Sequence, residues 1–255
     1  MSLHSQIIGE GTPFIILHGL LGMSDNWRTL GRKFSELGYQ MHLVDQRNHG
    51  RSLHSDEFNY SVMAEDLKDY CDEHGMDGFI LMGHSMGGKT AMQFATTYPE
   101  MVRKLFVADI GPKAYPQHHQ DIFKALLLVD FSKVSSRGDV EEVLSEYVPE
   151  AGVGQFLMKN LYWKEKGVLA FRANVKVLSD KNEEVGKPLD EEMTYDGPTL
   201  FLGGENSGYI EPMDELLIHK HFPNARIDWV SNAGHWLHSE NPTEYFEKVV
   251  TFLNE

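Results

Sequence analysis

Residues 83–87 read Gly-His-Ser-Met-Gly and lie between an apolar run at 79–82 and a helical pattern at 89–98. A serine in a Gly-x-Ser-x-Gly pattern between a strand and a helix is typical of a tight turn that leaves little room for side chains at its glycines and exposes the serine hydroxyl. Ser85 is therefore the candidate nucleophile. The alternative is a glycine-rich turn with a solvated serine, because a pattern with three fixed residues also arises by chance.

His235 is the candidate base. A serine hydroxyl becomes a good nucleophile when a base removes its proton, and histidine has a pKa suited to this near neutral pH. Of the 13 histidines, His235 lies in a glycine-containing loop directly after the last apolar strand pattern, at 225–230. His18 and His84 lie beside glycines in tight turns, and we expect them to be structural.

Several candidate residues come directly after predicted strands. They are Leu20, Ser85, Asp109, Ser207 and His235. Ligands of open α/β sheets bind beyond the carboxyl ends of the strands, so parallel strands would bring all of these residues to one edge of the sheet. This convergence favours a reactive serine over a chance match.

An oxyanion formed by attack on a carbonyl group needs hydrogen-bond donors that are already in place. The backbone amide of Met86, the residue after the serine, lies at the start of a predicted helix and is one candidate. The amide of Leu20, which follows His18 and Gly19 at the end of a strand, is the second. We therefore predict an oxyanion hole formed by the N–H groups of Leu20 and Met86.

Strand and helix patterns alternate over residues 1–112 and again over 197–255. This favours a mostly parallel sheet with helices on both faces. Residues 113–196 show helical spacing of apolar residues, with Phe156, Leu157 and Leu161 on one helix, and no convincing central strand. We predict an α/β core formed by 1–112 and 197–255, with a helical cap insertion at 113–196 over one end of the sheet.

Composition restricts the partners and the compartment. The 255 residues carry a formal net charge of -15, which repels phosphate backbones and anionic lipid surfaces, so we expect no nucleic-acid partner. The single cysteine, Cys71, allows no intramolecular disulfide. The sequence has neither a signal-peptide pattern nor a long apolar span, and no cluster with metal-ligand spacing. We expect a cytoplasmic protein without a membrane span or a metal; the sequence leaves its oligomeric state open.

Four segments carry a family resemblance: His-Gly-Leu-Leu-Gly at 18–22, Asp-Gln-Arg-Asn-His-Gly-Arg-Ser at 45–52, Gly-His-Ser-Met-Gly-Gly-Lys at 83–89 and Asn-Ala-Gly-His-Trp at 232–236. Together they resemble the α/β hydrolase superfamily over nearly the whole chain, and more narrowly the YbfF-type esterases. Arg-Asn-His-Gly, instead of the commoner Arg-Gly-His-Gly, is the most specific part. The resemblance implies an α/β hydrolase fold and an esterase or thioesterase that acts on small acyl esters without a cofactor.

The acid of the implied Ser-His-Asp triad is where the sequence departs from the superfamily. Most members carry it a few residues after the strand that ends here at Leu202, where this chain offers only Glu205. The YbfF-like pattern resembles enzymes whose acid follows the preceding strand, which implies Asp109. Asp109 is thus the predicted acid, and Glu205 is the alternative.

The resemblance implies hydrolysis through an acyl-enzyme on Ser85. Alternatives with the same triad are carbon–carbon bond hydrolysis, perhydrolysis and elimination by a lyase, because the fold hosts several chemistries. A non-catalytic relative that only binds a ligand is a further alternative. Large apolar residues of the predicted cap line an acyl pocket or form the core of the cap: Phe123, Leu126, Leu127, Phe131, Phe156, Leu157, Tyr162, Trp163 and Phe171.

Overall fold

The computed structural model describes residues 3–117 and 119–255. Its strands are β1 (Ser5–Ile8), β2 (Thr12–Leu17), β3 (Tyr39–Val44), β4 (Phe79–His84), β5 (Val102–Ala108), β6 (Leu161–Glu165), β7 (Val168–Phe171), β8 (Thr199–Gly204) and β9 (Ala225–Val230). Its α-helices are α1 (Arg28–Ser35), α2 (Tyr60–Glu73), α3 (Met86–Thr97), α4 (Gln120–Leu128), α5 (Arg137–Ser145), α6 (Ala151–Met158), α7 (Val175–Asp180), α8 (Asn182–Val185), α9 (Glu215–His221), α10 (Leu237–Glu240) and α11 (Pro242–Leu253). None of these described helices combines the length and the apolar character needed to cross a bilayer.

The main sheet contains seven strands in the order β1-β3-β2-β4-β5-β8-β9. Strand β1 runs antiparallel to β3, and the other neighbours pair in parallel. The predicted mostly parallel sheet with flanking helices is confirmed. Because β4 lies between β2 and β5, the serine at its carboxyl end lies near the middle of the sheet edge.

Successive side chains of the central strands enter two apolar cores. In β2, Ile15 and Leu17 belong to the core that includes Leu67 of α2, whereas Phe14 belongs to the core that includes Phe34 of α1. Side chains of a strand alternate between its two faces, so each face of the sheet receives its own layer of helices. All residues of β4 are buried, which explains the continuous apolar run before the serine.

The segment between β5 and β8 forms a third apolar cluster. Cap residues such as Phe123, Leu157 and Leu178 pack there with Leu21 and Met86, which follow β2 and β4. The cap therefore rests on the loops at the carboxyl edge of the sheet. Its assignment to residues 113–196 stays a prediction.

A hairpin in the cap differs from the purely helical pattern predicted. Strands β6 and β7 pair antiparallel, and Leu161 begins β6 instead of continuing α6. The turn between α6 and β6 is held by Asn160, whose side-chain amide donates a hydrogen bond of 2.7 Å to the carbonyl oxygen of Leu21. This tertiary contact ends the helix at Met158 although the apolar spacing continues.

Candidate active site

Ser85 occupies a strained turn between β4 and α3. Its φ angle is 55°, in the left-handed region that residues with a Cβ rarely adopt. A Cβ at Gly83 would lie 2.1 Å from the carbonyl oxygen of Gly87, and a Cβ at Gly87 would lie 2.4 Å from that of Leu17. The turn therefore requires glycine on both sides of the serine, as the sequence pattern predicts.

Ser85, His235 and Asp109 lie in one hydrogen-bonded line. The distance from His235 Nε2 to Ser85 Oγ is 3.0 Å, and that from His235 Nδ1 to Asp109 Oδ2 is 2.7 Å. A carboxylate only accepts hydrogen bonds, so Nδ1 carries the proton and Nε2 is left to accept from the serine hydroxyl. This tautomer is the one that a general base needs.

Asp109 is held in place from several sides. Its side chain is fully buried, Oδ1 accepts a hydrogen bond of 3.0 Å from the amide of Gly204, and Oδ2 accepts one of 2.5 Å from the hydroxyl of Ser207. Such donors compensate the loss of water around a buried carboxylate. Ser207 is thus brought to the sheet edge as predicted, where it contacts the acid.

Glu205 lies elsewhere. Its side chain is exposed, and its Oε2 accepts a hydrogen bond of 2.9 Å from the backbone amide of Asn232. That bond fixes the start of the loop that carries His235. The structure therefore places the carboxylate of Asp109, and not that of Glu205, against the imidazole.

The two predicted oxyanion donors flank the serine. Met86 is the first residue of α3, so its amide lies at a helix N-terminus. Leu20 follows Gly19, where a Cβ would lie 3.3 Å from the Cβ of Ser85. Leu20 and Ser85 border one cavity, and Met86 and Ser85 border another. The oxyanion role of the two amides stays a prediction.

The ring of His18 fixes the loop that precedes Leu20. Its Nε2 accepts a hydrogen bond of 3.0 Å from the amide of Gln46, so Nδ1 donates to the carbonyl oxygen of Gly19 at 2.8 Å. The side chain of Gln46 donates to the His18 carbonyl oxygen at 2.7 Å. Burial lowers the pKa of His18, which favours this neutral form.

His84 and Tyr209 support His235. The Nε2 of His84 donates a hydrogen bond of 2.8 Å to the carbonyl oxygen of His235, and burial together with His238 and His235 holds the pKa of His84 well below its usual value. The ring of Tyr209 stacks on that of His235 with centroids 4.0 Å apart. Sequence reasoning missed Tyr209, for which the only signal was its place in the loop after β8.

Further histidine and tryptophan rings pack behind the base. His238 stacks on Trp27 with centroids 4.1 Å apart and lies 4.7 Å from the ring of His84. Burial lowers the pKa of His238 to about 3, and the charges of His235 and Lys159 add to the shift. Within the described residues, no group of three or more His, Cys, Asp or Glu side chains is placed to hold a metal ion.

Ser85 opens onto a cavity of about 260 Å³. Its apolar lining consists of Leu20, Leu21, Trp27, Ile122, Val153, Phe156, Leu157 and Trp236. Of the cap residues considered for an acyl pocket, Phe156 and Leu157 are part of this lining, whereas Phe131 packs on Phe171 with centroids 5.0 Å apart. The arrangement combines a nucleophile, a base and an apolar chamber in one place.

Known proteins are similar to this chain in sequence. A family profile described as alpha/beta hydrolase fold matches residues 12–136. The sn-1-specific diacylglycerol lipase ABHD11 of Mus musculus is 38% identical over 254 residues, which cover 96% of this chain and 82% of that protein. The chain belongs to the α/β hydrolase family.

Two proteins named esterase are also similar to this α/β hydrolase. Esterase YbfF of Escherichia coli (strain K12) is 34% identical over 249 residues, covering 96% of this chain and 94% of YbfF. A solved structure titled marine microorganism esterase is 37% identical, with a TM-score of 0.96 over 99% of both chains. The predicted likeness to YbfF-type esterases is confirmed, and so is the α/β hydrolase fold.

Proposed function

We propose that this α/β hydrolase is a serine esterase that hydrolyses acyl esters through an acyl-enzyme on Ser85. The observation that carries the proposal is the line of hydrogen bonds from Ser85 Oγ to His235 Nε2 at 3.0 Å and from His235 Nδ1 to Asp109 at 2.7 Å. Relatives named esterase or lipase support the same reaction class.

The proposed reaction has two halves. In the first, His235 Nε2 takes the proton of Ser85 as Oγ attacks the ester carbonyl, and the amides of Leu20 and Met86 receive the oxyanion. The same imidazolium then protonates the leaving alcohol. In the second half His235 takes a proton from a water molecule as the water attacks the acyl-enzyme. The imidazolium then returns this proton to Ser85 Oγ as the acid is released. Asp109 keeps Nδ1 protonated throughout.

A thioester fits the same sequence of steps, with a thiol as leaving group. The reaction needs only a carbonyl beside Ser85 and a leaving atom within reach of His235, so acyl-CoA thioesters belong to the proposed substrates. No cofactor takes part in either version. The enzyme is proposed to act on small molecules in the cytoplasm.

The acyl group is proposed to enter the cavity of about 260 Å³ that borders Ser85. That cavity is lined from the core by Leu20 and Trp27 and from the cap by Phe156 and Leu157. An apolar chain fits such a lining because burial of its methylene groups is favourable. Residues 113–196 are accordingly proposed to act as a cap that completes the acyl site.

The test is hydrolysis of p-nitrophenyl butyrate by the Ser85→Ala variant. We expect kcat to fall by a factor on the order of 10⁵ to 10⁶, as when the nucleophile of a triad is removed. Ser61→Ala is the matched control, because Ser61 is an exposed serine on α2. Wild-type turnover by Ser85→Ala would refute the proposal.

A further inference from the structure

The candidate acid Asp109 has a strained backbone. Its φ angle is 49°, in the left-handed region that residues with a Cβ rarely adopt. Such a conformation costs free energy and persists only where surrounding contacts fix it. Gly204 and Ser207 hold the carboxylate, so the main chain that follows the acid must be fixed by other contacts.

The hydroxyl of Tyr115 fixes this stretch of main chain. It accepts a hydrogen bond of 2.7 Å from the amide of Gly111, two residues after Asp109. It also donates a hydrogen bond of 2.6 Å to the carbonyl oxygen of Tyr209. Its two partners are backbone groups, one in the loop after β5 and the other in the loop after β8. A single hydroxyl group thus joins the two loops that meet at the acid.

The hydrogen bonds around the acid form a closed ring. From Asp109 the path runs along the chain to Gly111 and across the hydroxyl of Tyr115 to Tyr209. The amide of Tyr209 donates a hydrogen bond of 3.3 Å to Ser207 Oγ, which in turn donates to the carboxylate. Hydrogen bonds in such a network polarise one another, so the loss of one weakens the others.

Tyr115 is itself held in place. Its amide donates a hydrogen bond of 2.8 Å to the carbonyl oxygen of Gly186, and its ring stacks on that of Tyr209 with centroids 5.5 Å apart. Burial raises the pKa of Tyr115, so the hydroxyl keeps the proton that it donates. Phenylalanine at this position would keep the ring contact and remove only the hydroxyl.

We propose that Tyr115 is a positioning residue that holds Asp109 within hydrogen-bond reach of His235. Its hydroxyl fixes the main chain after the acid and, through the loop after β8, the serine that donates to the carboxylate. The inference rests on the esterase function proposed above, in which the acid orients the imidazole in both halves of the reaction.

Hydrolysis of p-nitrophenyl butyrate by Tyr115→Phe tests this role. A displaced acid orients the imidazole less well in both halves of the reaction, so we expect kcat and kcat/KM to fall together by about tenfold to a hundredfold. Tyr195→Phe is the matched control, because the hydroxyl of Tyr195 donates a hydrogen bond of 2.7 Å to the carbonyl oxygen of Val102, at the opposite end of β5. Both variants should lower Tm by about 2 to 4 °C, while the control should keep kcat within about twofold.

A double-mutant cycle shows whether Tyr115 acts through the acid. In the Asp109→Asn background the carboxylate is already absent, so Tyr115→Phe should lower kcat there by less than about twofold. If Tyr115→Phe does not fold, as judged by thermal unfolding, Tyr115→Met takes its place in both measurements, because methionine adapts to irregular spaces.

An unchanged kcat in Tyr115→Phe, an equal loss in Tyr195→Phe, or a rise in KM alone would overturn the proposal. A loss of the same size in the Asp109→Asn background as in the wild type would also overturn it. In all of these outcomes the wild-type enzyme still hydrolyses the ester through Ser85. If wild-type hydrolysis does not depend on Ser85, the proposed function itself fails.

Discussion

At the residue scale, the imidazole of His235 connects the candidate nucleophile with the candidate acid. His235 contacts Ser85 with one nitrogen and Asp109 with the other, while Tyr209 stacks on its face. The ring of His84 donates a hydrogen bond to the backbone carbonyl oxygen of His235. Position and tautomer of the ring are therefore fixed before a substrate arrives, which lowers the reorganisation that proton transfer requires.

The two candidate acids give a residue-scale prediction. Asp109→Asn keeps the shape of the side chain but allows Nε2 of His235 to carry the proton, so we expect kcat for p-nitrophenyl butyrate to fall about 10⁴-fold. Glu205→Gln is the matched control. The exposed side chain of Glu205 accepts a hydrogen bond from the backbone amide of Asn232, and its substitution should change kcat by less than about threefold. A large loss in Glu205→Gln alone would exchange their roles.

Ser85 and His235 were predicted because each follows a strand pattern in a glycine-containing segment. The choice of Asp109 over Glu205 came from the resemblance to the YbfF-type esterases. Tyr209 gave no comparable signal. Its contact with His235 depends on how distant segments meet, and a tyrosine in a loop has many other uses. The candidate nucleophile, base and acid could thus be named from the sequence, whereas the residues that surround them could not.

At the scale of elements, the tight turn before α3 positions the nucleophile. Gly87 lies against β2, where a Cβ would approach the carbonyl oxygen of Leu17 to 2.4 Å. We expect Gly87→Ala to destabilise the protein by about 3 kcal/mol or more, since neither backbone can yield without distorting the sheet. Urea unfolding measures this difference.

Gly154→Ala provides the comparison for that substitution. Gly154 lies in α6, and a Cβ there would meet no atom of the described residues within 4 Å. Alanine at this position should stabilise the protein by about 0.5 to 1 kcal/mol, because glycine is a poor helix former. Equal effects of the two substitutions would contradict the packing described for the turn.

Lys89 connects α3 to the base of the cap. Its ammonium group is buried and donates hydrogen bonds of 2.5 Å to the carbonyl oxygen of Lys113 and 2.9 Å to that of Lys187. These residues belong to the two segments by which the chain enters and leaves the cap, and Tyr115 donates from one segment to Gly186 in the other at 2.8 Å. The helix that carries the serine and the cap are thus held together.

This contact predicts a pH dependence of stability. Burial lowers the pKa of Lys89 from 10.5 to about 7, and repulsion by the charge of Lys113 contributes to this shift. Between these two values the unfolded chain binds more protons than the folded protein, so the contribution of Lys89 to the free energy of unfolding rises with pH. Below about pH 7 both states are protonated, and the penalty for burying the charge is fully present.

Urea unfolding of the wild type and of Lys89→Met between pH 6 and pH 10 measures the effect as a difference. We expect the free energy of unfolding of the wild type to rise relative to that of the variant above about pH 7. A constant difference across this range would show that Lys89 does not titrate as described.

Not all elements were evident from the sequence. Helix α2 begins at Tyr60, and its N-cap is Asn59, whose side chain accepts a hydrogen bond of 3.0 Å from the amide of Val62. The cap hairpin was missed because apolar spacing at Leu161 fits either a helix or a strand. Strands of the buried sheet were clear, since short continuous apolar runs between turn residues are typical of strands that are buried on both faces.

At the scale of the whole molecule, the cavity beside Ser85 is bordered both by residues that follow the strands of the main sheet and by residues between β5 and β8. The order of the strands, which brings the ends of β4, β5 and β9 together, follows from pairing over long sequence distances. No local pattern contains that order. The sequence predicted only that the candidate residues share one edge of a parallel sheet, through the rule that ligands lie at the carboxyl ends of the strands. The volume and the lining of the cavity could be determined only from the structure.

The cavity predicts how a cap residue affects acyl-chain preference. Phe156 borders the cavity, so Phe156→Ala should raise kcat/KM for p-nitrophenyl octanoate relative to the butyrate by about tenfold, the effect of a few methylene groups in an apolar pocket. Phe131→Ala is the control, because Phe131 packs on Phe171 of the cap. An unchanged ratio in Phe156→Ala, or an equal change in both variants, would place the acyl chain elsewhere.

In the proposed mechanism Ser85 carries the acyl group during turnover, and rapid quenching with acid followed by peptide mass analysis detects that group. With p-nitrophenyl butyrate in excess, we predict a butyryl group on the peptide that contains Ser85 and an initial release of p-nitrophenol of up to one equivalent per active site. Continued ester hydrolysis by Ser85→Ala, or a butyryl group on a different residue of the wild type during turnover, would contradict the account.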